Sequence, residues 1–218
     1  MPQLFKGRAN AIAKAIWIGV PLVALGIAAA TFGFARSDFW THVDSPIEQP
    51  VPFSHQHHVA GLGIDCRYCH TSVEQSSFAG VPPTETCMTC HSQVWKDAPV
   101  LQPVRDSWQT GRPIKWTRVH DLPDYVYFNH SIHVAKGVGC ATCHGQVNEM
   151  PLTWKTKQLY MRWCLDCHRQ PAPYLRPINE VVDMNYHQPK DQLAFGRQLI
   201  KKNNVHTAGL TDCYTCHR

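Results

Sequence analysis

Residues 128–145 read FNHSIHVAKGVGCATCHG: two histidines three apart and, seven residues after the second, a pair of cysteines with another histidine attached. All ten cysteines of the chain fall into five such C-x-x-C-H runs. They are Cys66 and Cys69 with His70, Cys87 and Cys90 with His91, Cys140 and Cys143 with His144, Cys164 and Cys167 with His168, and Cys213 and Cys216 with His217. Histidine fills 14 of 218 positions, so its appearance after all five pairs by chance has odds of about one in a million. Two thiols spaced by two residues reach the two vinyl groups on one edge of a porphyrin and form thioethers, and the next residue lies beneath the ring where its imidazole binds iron. The runs therefore read as five attachment sites for haem c. A zinc site would use C-x-x-C pairs in twos, and five is odd. A thioredoxin-like redox pair needs no adjacent histidine and would sit in a βαβ pattern that this sequence lacks.

The paired histidines follow from the iron. A haem that only passes electrons needs a second axial ligand on its other face. Beyond the five proximal histidines, nine remain: His42, His55, His57, His58, His120, His130, His133, His187 and His206. An internal repeat ranks them. FSHQHHVAGLGIDCRYCH (53–70) and FNHSIHVAKGVGCATCH (128–144) differ by one residue in length and match Phe53 to Phe128, His55 to His130 and His58 to His133. Each copy is followed by a second C-x-x-C-H run. The expected organisation is two two-haem modules, about 50–100 and 125–175, joined by 101–124, with a fifth haem on the tail 176–218.

The elements that must position these groups are predicted to be slight. A haem domain over residues 37–218 carries five haems, so the macrocycles must supply most of the interior that an ordinary domain of about 100–150 residues builds from side chains. With 16 prolines and 13 glycines and few periodic stretches, the expected fold is mostly irregular, with short α-helices around stacked haems. One helix is predicted from Asp191, an N-cap, with Leu193, Gly196, Leu199 and Ile200 on one face and Lys201 and Lys202 in the last turn. Asp65, Asp166 and Asp212 read as caps or solvated charges rather than catalysts.

The amino terminus predicts a membrane anchor. From Ala15 to Ala35 no residue is charged, enough for a transmembrane helix. Lys6, Arg8 and Lys14 precede the span, which places the tip of domain 1–36 in the cytoplasm and the haem domain on the periplasmic side. The apolar run exceeds the 7–15 residues of a signal-peptide core, so retention is expected over cleavage. The net charge of +5 says little about partners. Two propionates per haem bring the holoprotein to about zero when oxidised and about −5 when reduced, and no nucleic acid is expected.

The F-[SN]-H-x-x-H-V … C-x-x-C-H arrangement resembles class III multihaem cytochromes c, the c3-like and c7-like proteins. That resemblance implies that the first histidine of each pair binds the haem of its own following motif and that the second reaches a different haem. Carried over, His55 is distal at Cys66/Cys69 and His130 at Cys140/Cys143. His58 and His133 would serve other haems, those of Cys87/Cys90 and Cys213/Cys216, and His57 has no counterpart. The distal position left is at Cys164/Cys167, with Met150, Met161, His187 and His206 as candidates. His206 stands seven residues before Cys213 but lacks the preceding Phe-x-His. Met150, in NEMPLTW, is the first choice because that stretch recurs between paired motifs in proteins this one resembles. A thioether ligand would raise that haem's potential, while packing is the ordinary role of a methionine.

With one N-terminal helix, five motifs, and the GCATCHGQVNEMPL and CLDCHRQP stretches, nearly the whole chain is similar to the pentahaem subunit of bacterial alternative complex III. The resemblance implies electron transfer without substrate chemistry of its own, from quinol sites in polytopic membrane subunits or an iron–sulfur, molybdoenzyme-like subunit to a monohaem cytochrome c. His217 is the penultimate residue, so no C-terminal extension is expected. Two other classes stand beside this one. A multihaem reductase would need an open iron position, which the surplus of imidazoles argues against. A free-standing small tetrahaem quinol dehydrogenase shares the anchor but differs in haem number and lacks the repeated F-x-H-x-x-H.

Overall fold

A computed structural model describes residues 6–217. Residues 1–5 of the expected cytoplasmic tip and Arg218 lie outside the described residues. The chain divides into two units, one ending at His42 and one beginning at Val43.

The described part of the first unit is a long helix, Gly7–Arg36, which contains the predicted span and continues through Pro21, followed by one helical turn, Asp38–Thr41. The 30 residues of the long helix give a length of about 45 Å, ample for a hydrocarbon core of about 30 Å. None of its residues is buried, and an 18-residue stretch of mean hydropathy 2.1 makes it long and apolar enough to cross a membrane. Ser37 turns extended and ends the helix. Phe34 then packs against Phe39 and Trp40 at ring-centre distances of 6.0 and 5.5 Å, and the Arg36 guanidinium lies 3.5 Å over Phe32. Aromatic rings with one cation at the end of an apolar span suit a membrane–water boundary.

The second unit has short helices and irregular chain, with no strand among the described residues. Only isolated bridges occur, Val43 with Lys155 and Val138 with Leu175. Its protein core is thin. The buried apolar side chains are Val43, Val51, Leu101, Val104, Met150, Ala172, Leu175, Val181, Met184 and Leu199, too few to hold 176 residues by apolar burial alone. A cofactor-filled interior fits this scarcity.

The segment expected as a connector is partly a packed element. Leu101 and Val104 join Val51 in a cluster against Cys87, Met88, Ala98, Ile114 and Trp116. Prolines that read as loop markers instead open helices. Pro99 starts a single 3₁₀ turn, Pro99–Leu101, and Pro103 lies in the first turn of Gln102–Thr110, where a missing N–H costs nothing. The Ser107 hydroxyl meets Thr84 Oγ1 at 2.6 Å and the carbonyl of Arg112 at 2.7 Å, tying this helix to the Cys87 motif.

The helix predicted from Asp191 forms as Gln192–Lys202, and the Asp191 carboxylate accepts from Ala194 N at 3.1 Å. Gly196 and Leu199 are buried, whereas Leu193 is exposed, which narrows the expected apolar face. Gly196 is required because a Cβ there would strike the backbone of Ala172. Asp65 caps Cys66–Cys69 through Arg67 N, the Asp166 carboxylate lies 3.8 Å from Arg169, and Asp212 takes the N-cap place before Cys213.

Candidate haem centres

Both copies of the repeat fold to the same clamp. Ser54 Oγ accepts from His57 N at 3.1 Å, and Asn129 Oδ1 accepts from Ile132 N at 3.5 Å. Each therefore starts a turn of helix at the residue before the first histidine. Phe53 stacks on His58 with centres 4.4 Å apart and meets His55 edge-on at 5.0 Å. Phe128 stacks on His133 at 4.5 Å and meets His130 edge-on at 4.7 Å. One ring thus fixes two imidazoles in roughly perpendicular planes, so they face different directions.

The imidazoles carry a common hydrogen-bond signature. Nδ1 of His70, His91, His168 and His217 meets the carbonyls of Gly80, Val94, Leu210 and Tyr125 at 2.7, 3.0, 2.9 and 3.1 Å. Nδ1 of His58, His130 and His133 meets those of Ser54, Ser77 and Asn129 at 2.8, 2.9 and 2.7 Å. His55 Nδ1 meets Thr153 Oγ1 at 3.0 Å. A carbonyl only accepts, so Nδ1 carries the proton and Nε2 keeps a lone pair for a metal. Burial first, then neighbouring imidazoles, pushes His55 down to about 4 and His144 down to about 3. Neutral imidazole is the form that binds iron.

Opposed pairs then stand out. The ring centres of His58 and His91 are 6.2 Å apart, of His130 and His144 6.4 Å, and of His133 and His168 6.1 Å. Two metal–nitrogen bonds of about 2.0 Å plus two ring-centre-to-nitrogen distances of about 1.1 Å predict about 6.2 Å for imidazoles on opposite sides of one metal. His55 lies within reach of the charge of His70. The residues therefore fit a haem at each of these four motifs. Among the described residues no group of three or more His, Cys, Asp or Glu side chains converges to hold a bare ion.

The His133 ring lies 6.1 Å from that of His168 in the Cys164 motif, where the resemblance had implied the Cys213 motif, so the second histidine of each repeat stands beside the next motif along the chain. Met150 is 1% exposed, and its carbonyl accepts from Gln56 N at 3.0 Å beside the His55 turn. Met161 is exposed at the start of the helix Met161–Arg169, and His187 and His206 are exposed in irregular chain.

The motifs neighbour one another in a definite order. Tyr68 Oη and Thr89 Oγ1 meet at 3.0 Å, and the Cys69 thiol, raised by burial, is raised further by Cys87. Burial likewise pushes Cys140 up to about 11, with Cys66 adding to it, and Cys143 up to about 12, with Cys167 and Cys164 adding to it. Cys164 is raised by burial and then by Cys216. Tyr127 N donates to Cys216 O at 2.8 Å. In space the motifs run Cys87, Cys66, Cys140, Cys164, Cys213, and the exposed cysteines, Cys90 and Cys213, belong to the two terminal motifs.

Two neighbours of the sites were not singled out by sequence reasoning. His120 lies 4.3 Å from His144, and its buried Nε2 has no hydrogen-bond partner. Arg176 lies against Gly139, where a Cβ would collide with its guanidinium. Neither sits in a motif, and only the excess of histidine hinted at the first.

No protein-family model matches the chain. Among curated proteins it is similar to the multihaem cytochrome c subunit of the menaquinone reductase of Nitratidesulfovibrio vulgaris, at 34% identity, with 56% of this chain and 68% of that protein covered.

Proposed function

The chain belongs to the multihaem c-type cytochromes, and from that premise we propose that it is a membrane-anchored pentahaem electron carrier of a quinone-linked complex. The observation that supports this most is the pair of Phe–His–His clamps, each aiming one imidazole at its own motif and the other at the next. Haem c supplies a one-electron Fe(III)/Fe(II) couple when bound.

The chain's own residues hold that couple in place. Ten cysteines would tether five haems. His70, His91, His144, His168 and His217 would hold the iron of their own motifs, joined by His55, His58, His130 and His133 at the Cys66, Cys87, Cys140 and Cys164 motifs. The carbonyls on Nδ1 of His58, His70, His91, His130, His133, His168 and His217 orient those rings and raise their basicity. Phe53 and Phe128 prevent the distal rings from turning, so ligand geometry changes little between oxidation states. No side chain is required to move a proton.

The exposed Cys90 and Cys213 would leave the Cys87 and Cys213 haems most open to redox partners. The helix Gly7–Arg36 anchors the carrier, with its basic start in the cytoplasm and the haem unit on the periplasmic side. Redox partners are polytopic quinol-binding subunits or an iron–sulfur, molybdoenzyme-like subunit on one side and a monohaem cytochrome c on the other, as in alternative complex III. The similarity to a menaquinone reductase subunit favours a second reading, in which electrons run toward quinone.

The test is gentle detergent extraction followed by haem counting. Five haems per polypeptide, co-purifying with multi-span subunits, supports the reading; fewer than four haems per chain overturns it. Oxidation of added quinol by the extracted complex separates the first direction from the second.

A further inference from the structure

Arg176 is buried at 8% exposure, yet no carboxylate lies within ion-pair distance of it among the described residues. Its Nη1 donates to the carbonyls of Asp183 at 2.9 Å and Glu180 at 3.4 Å, and its guanidinium lies 4.6 Å over Tyr186. Its backbone N–H is held by Gly137 O at 2.8 Å. The guanidinium packs on Gly139, the residue before Cys140, so closely that a Cβ there would displace it. Arginine is always charged, and a charge removed from water is weakly screened.

The equivalent residue in the first repeat is Asp65, before Cys66. It carries the opposite sign, is 45% exposed and is neutralised by Arg67 at 2.8 Å. Two sites with the same ligand clamp therefore differ in the fixed charge beside the first cysteine: a buried arginine packs on Gly139, whereas an exposed ion pair stands at Asp65. Lys155, whose charge reaches His120 beside His144, adds to the positive surroundings of the second site.

We infer that buried Arg176 raises the reduction potential of the Cys140/Cys143 haem above that of its repeat counterpart at Cys66/Cys69, giving the middle step of the wire a direction. A ferric centre carries one more positive charge than a ferrous one, so a nearby fixed cation disfavours the oxidised state. The step moves one electron, oxidising the iron at the Cys66 site and reducing that at the Cys140 site, with no proton or bond exchanged. This rests on the ligand pairing proposed above.

The test is an EPR-monitored redox titration of the detergent-extracted holoprotein. His130→Met identifies the Cys140 haem, because a thioether in place of imidazole moves its potential upward. Arg176→Gln is expected to shift that same wave downward and leave the other four in place, while Arg176→Lys, which keeps the charge, holds it near the wild-type position. Equal shifts in Arg176→Gln and Arg176→Lys, or no shift in Arg176→Gln, overturn the inference. Should Arg176→Gln not mature, the wild-type order decides: a Cys66 wave lying above the Cys140 wave overturns it, and the reverse order, with the gap narrowed by Asp65→Asn, supports it. If His130→Met moves no wave, the ligand pairing itself falls and takes this inference with it. If it moves a wave that Arg176→Gln leaves still, only the inference falls.

Discussion

The turn after Phe53 and the turn after Phe128 reach the same clamp by different local folds. The second copy winds an α-helix, His130–Ala135. The first, one residue longer, winds a π-helix, Gln56–Gly61. Wider i to i+5 turns take up a single inserted residue without changing what precedes or follows. Both copies then leave through a glycine at positive φ, Gly63 at 69° and Gly137 at 85°, and close on the second histidine's carbonyl through Ile64 N at 3.1 Å and Val138 N at 3.0 Å. What the repeats keep is the geometry of a phenyl ring and two imidazoles. What they vary is the path to the first cysteine and the charge beside it.

Ligand substitutions test that conserved geometry hardest. His133→Ala should convert one haem to the high-spin form, at Cys164 and not at Cys140, and His58→Ala should do the same at Cys87 and not at Cys66. Spectra in which the haem nearest in sequence changes instead would break the likeness of the two clamps. Phe128→Ala should come next, costing about 2 kcal/mol in a thermal melt, below the 3–5 kcal/mol of a fully buried phenylalanine. It should alter the EPR of two haems together, because its ring holds both His130 and His133. A change confined to one haem would show that the ring only packs. Deleting Gly61 should matter least, converting the first turn to an α-helix for a stability change within about 1 kcal/mol, with all haems still attached. Failure to attach haem at Cys66 would mean that the wider turn is required there.

The sequence made the chemistry legible because covalent attachment admits only one spacing. The clamp was legible for the same reason, since two imidazoles and a phenyl ring must recur at fixed separations. Which iron each second histidine serves was not. His133 is about equally compatible, in one dimension, with any later motif, and only the rotation set by Phe128 turns it to His168. Arg176 was illegible because it reaches Gly139 from 37 positions downstream, and a glycine before a cysteine looks like ordinary loop. The helix Gln102–Thr110 was obscured by prolines that mark a helix start as readily as a turn.

Shared clamps also bear on how such a chain is matured. On the proposed pairing, each turn lends its two histidines to different porphyrins, so a polypeptide that misses one attachment leaves an imidazole idle and an adjoining turn unanchored. Damage at one station spreads to its neighbour. Incomplete molecules should then be conspicuous to proteases, and the population should be sorted into finished carriers and fragments, with few intermediates between.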